Sequence, residues 1–452
     1  MPRTSPKTAD ITPSPARLLE SLRDVGYDFV TAIADLVDNS IAAGARKIDI
    51  GIVYDDGPPK VFVADNGAGM TRARLAEALR LGSIRDYECD DLGKFGLGLK
   101  TASLSQCRRL TVLTRHSPNY YRVASATLDI DEVAQSKRWQ IIEDASDGAL
   151  AEAARWLGED TGTVVIWEKL DRLVSSEDRL GGWDKRRLRS LAEATRCHLA
   201  MVFHRFLERT GKSQLRINVN GKRVASWDPY AQSEKHTQTL PPQAFELTAS
   251  DGNGVVLVCG HILPPRDLFS TQEAFESLSG PRKWNRQQGF YIYRNGRLIQ
   301  SGGWCNMRAA DEHTKLARVS IDFPSSLDAL FNVNIAKMRV AIPSQLRMLL
   351  DRVVLDIVKL AQTAYRGDLK VVRPDDDQPR VTARSPAATH APAYGEFMIA
   401  LRAAALASGQ SKALSKIFGR LCKDAPEFAA LAGLAIAKSS RSKKRRLAPD
   451  VG

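Results

Sequence analysis

The chain lacks paired cysteines and long apolar runs, and each absence removes a class of protein. Its six cysteines are scattered without a Cys-x-x-Cys pair, so neither a zinc site nor a disulfide framework is expected. No run of about 18 apolar residues, the length of a membrane span, occurs. Residues 1–10 have no apolar stretch that could serve as a signal peptide. We therefore expect a cytoplasmic protein that does not enter the membrane.

Aromatic residues make up only 7% of the chain, yet apolar residues reach 43% and charged residues 26%, an ordinary globular composition. A length of 452 residues allows two or three domains with separate cores. The formal net charge of +13 favours an anionic partner such as nucleic acid, because a basic surface releases the counterions of a phosphate polymer. A basic protein without such a partner has the same composition.

The periodicity of apolar residues divides the chain into five segments. We expect a first α/β domain over 1–175, a connecting helix over 176–212 and a second α/β domain over 213–366. A linker rich in Pro, Asp and Ser follows over 367–393, and a short helical unit with a basic tail over 394–452.

Two polar residues lie four apart on a helix predicted from Asp28 to Ala43. Asp35 and Asn39 share one face of that helix because residues four apart are neighbours. A carboxylate can orient and deprotonate a water, and an amide oxygen can ligate Mg²⁺. The pair suits hydrolysis of a magnesium-bound nucleotide, although a solvated helix face has the same spacing.

A glycine-containing segment follows a predicted apolar strand and reads Asp-Asn-Gly-Ala-Gly-Met from residue 65. Asp65 at the strand end can accept a hydrogen bond from an adenine amino group. Gly67 and Gly69, followed by Met70, allow a base to come close. A simple Asp-Asn-Gly turn gives the same letters.

Three glycines, Gly93, Gly96 and Gly98, precede a predicted helix. Backbone N–H groups and the positive end of the helix dipole can receive phosphates there, and Lys100 supplies a cation. The segment is not a Walker loop, because Leu99 separates Gly98 from Lys100. It is not a dinucleotide fingerprint either, because the glycines do not follow the first strand of a βαβ unit.

In this order and spacing, the three segments resemble the motifs of the GHKL ATPases. That superfamily includes gyrase-type topoisomerases, MutL mismatch-repair proteins, the ninety-kilodalton heat-shock chaperones, histidine kinases and MORC proteins. The resemblance covers residues 11–170 and implies a two-layer α/β Bergerat sandwich that binds ATP with Mg²⁺. Thr163 matches the family threonine that supports the adenine-binding aspartate. The residues implied to contact the nucleotide or its metal are Asn39, Asp65, Gly67, Gly69, Met70, Gly93, Gly96, Leu97, Gly98, Leu99, Lys100, Thr101 and Thr163.

The second domain carries two further likenesses. Residues 331–337 resemble the MutL segment that brings a lysine into the ATP site from a neighbouring transducer domain, which is ribosomal S5-like. Residues 293–299 resemble a MORC strand–turn–strand. Together they imply a bacterial MORC-like or MutL-like protein in which Lys337 contacts the γ-phosphate. A surface lysine near a strand end is the alternative.

One position departs from the family pattern. Asp35 stands where most members carry a glutamate, and Ala42 replaces a frequent aspartate. Aspartate is one methylene shorter, and a general base typically contributes about 10² to 10⁴ in rate. A displaced carboxylate would leave a slow ATPase or a protein that mainly binds nucleotide.

Three segments have the composition of accessory elements. Residues 82–91 have the composition of a mobile lid, or of an ordinary exposed loop. The basic clusters at 185–189 and 441–446 could follow a phosphate backbone without reading sequence. A solvated helix face and a disordered tail are the respective alternatives.

The resemblance and the charge favour an ATP-dependent homodimeric switch or clamp on DNA, in bacterial restriction, anti-phage defence or repair. Asp35 and Lys337 would be its catalytic residues. No nuclease centre is recognisable, so a nuclease or helicase partner is expected. The alternative is an ATP-binding regulatory subunit of a multiprotein complex with little hydrolysis. A chaperone-type ATPase fits less well because only a short helical segment follows Tyr365, and a histidine kinase conflicts with the lack of histidine before His116.

Overall fold

The computed structural model describes residues 13–24, 26–54, 57–81, 98–117, 123–144, 146–157, 160–174, 181–249, 252–333 and 340–367. The chain divides into two compact units, one of residues 1–241 and 245–369, the other of 242–244 and 370–452. Only 242–244 are described in the second unit, so the features below belong to the first. The expected lid, helical unit and basic tail lie outside the described residues.

The helices and strands alternate along most of this first unit. The helices are α1 (Pro15–Arg23), α2 (Phe29–Ala42), α3 (Arg72–Leu79), α4 (Gly98–Leu104), α5 (Ile130–Ser136), α6 (Asp147–Leu157), α7 (Gly182–Val202), α8 (His204–Leu207), α9 (Gln272–Leu278), α10 (Lys283–Gln287) and α11 (Ser344–Tyr365). The strands are β1 (Lys47–Val53), β2 (Lys60–Asp65), β3 (Arg109–Arg115), β4 (Ala124–Asp129), β5 (Ile142–Glu143), β6 (Gly162–Glu168), β7 (Arg216–Val219), β8 (Lys222–Arg223), β9 (Gln238–Thr239), β10 (Gln243–Ala249), β11 (Gly252–Ile262), β12 (Gly289–Arg294), β13 (Arg297–Ser301) and β14 (Ala317–Phe323).

The first sheet is eight-stranded, with the order β5-β4-β3-β6-β2-β1-β7-β8. Side chains alternate between its faces, so Val61 and Val63 of β2 join the core beneath α2, whereas Phe62 and Ala64 join a smaller core on the other face. Helix α6 covers that second face, where Trp156 stacks on Phe62 with ring centroids 5.8 Å apart. The mixed α/β architecture expected from the sequence is confirmed, and α6 forms a further layer on this second face.

Helix α2 is held at its start and buried along its length. The Asp28 carboxylate accepts a hydrogen bond of 2.8 Å from Thr31 N, which satisfies one of the unpaired N–H groups of the first turn. Ile33 and Val37 are completely buried, and each such burial contributes about 1.5–3 kcal/mol. Helix α7 packs against α2, so little of the α2 surface reaches solvent.

Strand β7 belongs to the first sheet, although the apolar periodicity predicts that a second domain starts at residue 213. It pairs in parallel with β1, with Ile217 opposite Ile48, and β8 pairs with β7. The first sheet therefore continues to Arg223. The alternation of a strand identifies its buried face but not its neighbour, and here α7 separates β7 from the rest of the sheet in the sequence.

The second sheet is six-stranded, with the order β10-β11-β14-β12-β13 and β9 paired with β11. Helix α11 packs on β11 and β14, as its helical repeat of apolar positions requires. The buried residues of that repeat are Leu346, Leu350, Val354, Ile357 and Ala361. Within the described ranges, no helix combines the length and apolar character needed to cross a bilayer.

The β12–β13 hairpin lies against the first domain. Its turn residues Asn295 and Gly296 have φ of 49° and 81°, the backbone that a tight two-residue hairpin turn requires. Helix α7 contacts β13, and the adjoining α8 contacts β12, where the His204 ring lies 2.9 Å from the Tyr293 hydroxyl. Residues near the hairpin tip are thereby brought to α2.

Candidate functional site

The helix that follows the glycine-rich segment lies beside Asp35. Helix α4 packs against α2, and a Cβ placed on Gly98, the first residue of α4, would lie 3.9 Å from the Asp35 carboxylate. The aspartate motif of α2 and the glycine-rich motif before α4, which are far apart in the sequence, therefore lie side by side. Leu99 and Thr101 lie on the same short helix.

Asp35 is buried, with 2% of its surface exposed, so it does not lie on a solvated helix face. The Tyr27 hydroxyl donates a hydrogen bond of 2.8 Å to Asp35 Oδ2. Burial first, and then the charge of Asp35, raise the pKa of Tyr27 well above its ordinary value. The phenol therefore remains protonated and keeps donating to the carboxylate at neutral pH.

A cation from strand β13 of the second sheet faces the same carboxylate. Arg297 Nη2 lies 3.7 Å from Asp35 Oδ1, and Arg297 Nε lies 3.1 Å from Asp38 Oδ2. All three side chains are almost inaccessible to solvent. Two carboxylates three residues apart on α2 thus share one buried guanidinium.

Asp65 lies at the end of β2 with both carboxylate oxygens hydrogen-bonded. Ser40 Oγ donates to Oδ2 at 2.8 Å, and Gly67 N donates to Oδ1 at 2.8 Å. Burial raises the pKa of Asp65, while hydrogen bonds from Gly67, Ser40 and the Thr163 backbone oppose that rise. Ser40 is on α2 and Thr163 on β6, so this carboxylate connects three of the motif segments.

The glycines after Asp65 are required by the packing of the chain itself. Gly69 has φ of 64°, and a Cβ there would lie 2.0 Å from the carbonyl oxygen of Arg115. Next to it, Met70 N donates to Thr114 Oγ1 at 2.9 Å. The Thr114 and Thr163 hydroxyls are 3.1 Å apart, so side-chain hydrogen bonds link the segment to β3 and β6.

Lys100 is placed differently from the phosphate cation that the sequence suggests. Its ammonium donates to the carbonyls of Ala78 and Arg80 at 3.0 and 2.7 Å, groups that a helix C-terminus leaves without partners. Burial lowers the pKa of Lys100 to about 8. Contact with a phosphate would require this ammonium to leave the end of α3.

The remaining predicted residues fall into two groups. Asn39 is exposed on α2, one turn beyond Asp35. Gly93, Gly96, Leu97 and Lys337 lie outside the part of the chain that the structure describes, so their roles stay predictions.

Sequence reasoning missed four residues of the site, Tyr27, Ser40, Thr114 and Arg297. The first three are single hydroxyl-bearing residues without a distinctive pattern. Arg297 follows an Asn-Gly pair that predicts a hairpin, but no local pattern shows which surface that hairpin touches. Its partner Asp38 is 259 positions away.

Comparison with known protein families agrees with this geometry. The family described as histidine kinase-, DNA gyrase B-, and HSP90-like ATPase matches residues 27–163. Residues 27–163 therefore form a domain of the GHKL superfamily. The matched GHKL domain runs from Tyr27, beside the buried carboxylate, to Thr163, beside Asp65.

Similar proteins also include the DNA mismatch repair protein MutL. MutL of Rhodopseudomonas palustris strain HaA2 is 38% identical over 93 residues, which cover 19% of this chain and 15% of that protein. MutL of Shewanella loihica is 25% identical over 278 residues, covering 60% of this chain and 38% of that protein. MutL of Shewanella baltica is 27% identical over 276 residues, with 60% and 37% coverage. The chain thus spans less than two fifths of these relatives.

GHKL proteins bind ATP, and the donor set of this GHKL domain fits that ligand. The Asp65 carboxylate is an acceptor suited to an amino group. The exposed Asn39 amide offers the neutral oxygen that Mg²⁺ accepts beside phosphate oxygens and waters. The buried Asp35 carboxylate lies one helical turn away.

Proposed function

We propose that this protein is a Mg²⁺- and ATP-dependent switch that acts on DNA and hydrolyses ATP slowly. The observation that carries the proposal is the convergence at α2 of the aspartate, adenine and glycine motifs. Gly98 lies beside Asp35, and Ser40 donates to Asp65. One helix therefore connects the carboxylate proposed as the base with the one proposed to bind adenine.

Each side chain has a separate role in this proposal. Asp35 orients and deprotonates the attacking water, and the Asn39 amide holds Mg²⁺, which supplies charge neutralisation of the phosphates when bound. Asp65 accepts the adenine amino group, with the Thr163 backbone supporting its ionised form. Lys337 is assigned to the γ-phosphate on family resemblance alone.

The start of α7 supports an action on DNA. Trp183 is 59% exposed, and the Arg187 guanidinium lies 5.4 Å from the centre of its ring. Arg186 and Arg189 are exposed on the same helix. Exposed aromatic and basic side chains together suit the bases and phosphates of nucleic acid. The net charge of +13 and the similarity to the DNA mismatch repair protein MutL point the same way.

The wider biology follows from the same resemblance. ATP binding would favour a closed homodimer, since a ligand shifts a conformational equilibrium only by binding one state more tightly. A nuclease or helicase would act as partner, in bacterial restriction, anti-phage defence or repair.

One observation favours a second function, an ATP-binding regulatory subunit with little hydrolysis. Tyr27 donates to one oxygen of Asp35, and Arg297 lies near the other. A carboxylate that is stabilised in its ionised form by a donor and a cation is a weaker base. Tight nucleotide binding without turnover would then control a partner protein.

Steady-state ATP hydrolysis by the purified chain separates the two functions. It is measured at one fixed, moderate salt concentration, with and without plasmid DNA, beside Asp35→Asn, which keeps the side-chain shape and removes the base. A rate that DNA increases and Asp35→Asn abolishes supports the DNA switch. Absence of turnover while ATP still binds contradicts hydrolysis and favours the regulatory subunit.

For the regulatory subunit, Asn39→Ala is the deciding variant, because it removes the proposed Mg²⁺ ligand. Nucleotide affinity and control of the partner should then be lost together. If the variant still regulates its partner protein although it no longer binds nucleotide, this second function is excluded.

A further inference from the structure

Arg297 is the contact that joins the second domain to the proposed base. It is the first residue of β13, directly after the Asn295–Gly296 turn. From there its guanidinium reaches Asp38 at 3.1 Å and Asp35 at 3.7 Å. Both carboxylates belong to α2 of the GHKL domain, so the ion pair connects a strand of the second sheet with a helix packed on the first.

The two contacts of Arg297 differ in kind. Its Nε also lies 3.3 Å from the second oxygen of Asp38, within hydrogen-bond range of both oxygens. The 3.7 Å separation from Asp35 is longer than a hydrogen bond and acts through charge. Asp38 therefore anchors the guanidinium, and the anchored charge acts on Asp35.

Burial removes the water that would otherwise solvate the charges of Asp35 and Asp38, so Arg297 is the cation placed to compensate them. Asp35 and Asp38 are like charges on neighbouring positions of one helix, and both are removed from water. A buried carboxylate without a compensating cation takes up a proton rather than remaining charged. A protonated Asp35 cannot accept a proton from water.

We infer that Arg297 is a positioning residue through which the β12–β13 hairpin sets Asp35 for ATP hydrolysis. This inference rests on the proposed role of Asp35 as the base. Tyr27 holds Asp35 from within the GHKL domain, whereas Arg297 depends on the placement of the β12–β13 hairpin. Displacement of that hairpin would remove the cation from the base, so hydrolysis requires the hairpin to stay packed beside α2.

Two substitutions in the full chain test the inference through kcat and KM. Arg297→Gln removes the positive charge and keeps a long polar side chain. Arg297→Lys keeps the positive charge but cannot contact both carboxylates as the guanidinium does. We expect Arg297→Gln to lower kcat by on the order of 10- to 100-fold, part of what a general base contributes. Arg297→Lys should lie between this variant and the wild type. KM should stay within about three-fold, because the proposed nucleotide ligands are untouched.

Arg294 supplies the control for a merely structural role. It ends β12 of the same hairpin and pairs with Asp328 of the second domain at 2.7 Å, with both side chains buried. Arg294→Lys therefore disturbs a comparable buried ion pair, whose carboxylate is Asp328 rather than a residue of α2. We expect its kcat to stay within about three-fold of the wild type even if its melting temperature falls. If Arg297→Gln does not fold, the two lysine variants provide the comparison.

A cycle with Asp35→Asn shows whether Arg297 acts through the base. If it does, adding Arg297→Gln to Asp35→Asn leaves the residual rate unchanged, because the charge no longer has a base to act on. The inference is overturned if Arg297→Gln lowers kcat equally in the wild-type and Asp35→Asn backgrounds. It is also overturned if folded Arg297→Gln has the wild-type kcat, or if only KM changes. A wild-type chain without any turnover sensitive to Asp35→Asn is a separate result. It removes the proposed hydrolysis and the inference together.

Discussion

The carboxylate of Asp65 lies in a position where burial disfavours its ionised form. Its pKa is raised by burial despite hydrogen bonds from Gly67, Ser40 and the Thr163 backbone. The folded chain therefore takes up a proton here at higher pH than the unfolded chain, so ionised Asp65 reduces the stability of the fold at neutral pH. In the proposed adenine contact the charge has a use, because an ionised carboxylate is the strongest acceptor for an amino donor.

Asp65→Asn should therefore separate binding from stability. The amide keeps the shape and removes the buried charge, so we expect an unfolding free energy equal to or above that of the wild type at neutral pH. That difference should shrink as pH falls towards the ordinary aspartate pKa of 3.8. ATP affinity should fall about ten-fold or more, since the amide presents a donor to the adenine amino group.

Urea denaturation and calorimetric ATP titration measure the two quantities of this Asp65→Asn prediction. Wild-type affinity for ATP in the variant would exclude Asp65 as the adenine acceptor. A variant less stable than the wild type would mean that its hydrogen bonds outweigh the cost of the charge.

Lys100 is a second buried ionisable group whose stability effect has a defined sign. Its pKa is lowered to about 8 from an ordinary 10.5. Between these values the unfolded chain binds more protons at this group than the folded chain, so its contribution makes the wild type more stable as pH rises.

Lys100→Met should be less stable than the wild type by about 1–3 kcal/mol at neutral pH, because two carbonyls at the end of α3 lose their donor. The difference should widen between pH 8 and 10, since only the wild type titrates at this position. Urea denaturation at several pH values gives both results. A difference that narrows over this range would contradict the placement of the ammonium on those carbonyls.

The elements of the fold differ in how far the sequence predicts them. Helix α2 was predicted almost to its ends because its information is local, a capping Asp28 and a helical repeat of apolar residues. The mixed α/β architecture is predicted from the apolar periodicities of the other helices and strands, and it is confirmed. Helices α5 and α6 were not among the elements predicted from the sequence.

The contacts that complete the candidate site join residues far apart in the sequence, so no local sequence pattern predicts them. Ser40 and Asp65 are 25 positions apart, and Arg297 and Asp38 are 259 positions apart. Burial likewise depends on what packs over a residue. The spacing of Asp35 and Asn39 gave their shared helix face, whereas α7 and Arg297 decide that Asp35 is enclosed.

The start of helix α7 is the element we expect to contact DNA. Reversal of two exposed charges, Arg186→Glu with Arg187→Glu, should weaken binding to any DNA sequence. It should also reduce the slope of log affinity against log salt by about 2, since each lost phosphate contact removes about 0.9.

Lys222→Glu with Arg223→Glu is the control for the α7 prediction. It changes the net charge equally at two exposed residues on the sheet edge. Fluorescence anisotropy with labelled duplex DNA at several salt concentrations measures both slopes. If both double variants weaken DNA binding and reduce the salt slope equally, DNA is attracted by the net charge of the protein and has no defined site on α7.

For the whole molecule, we expect the oligomeric state to depend on nucleotide. A non-hydrolysable ATP analogue with Mg²⁺ should convert the protein to a dimer, because nucleotide must favour the closed state. Light scattering after size-exclusion chromatography measures the mass with and without the analogue. Asp65→Asn, which lacks the adenine acceptor, should remain in its nucleotide-free state. The same mass under both conditions would contradict an ATP-dependent dimer.

The parallel pairing of β1 with β7 determines how this protein can be divided for experiment. A fragment that stops at the expected boundary of residue 175 would leave the N–H and C=O groups of β1 unpaired along one side. Open strand edges associate with other chains. Such a fragment would self-associate for a reason unrelated to ATP, and a fragment extending through Arg223 would keep the edge covered.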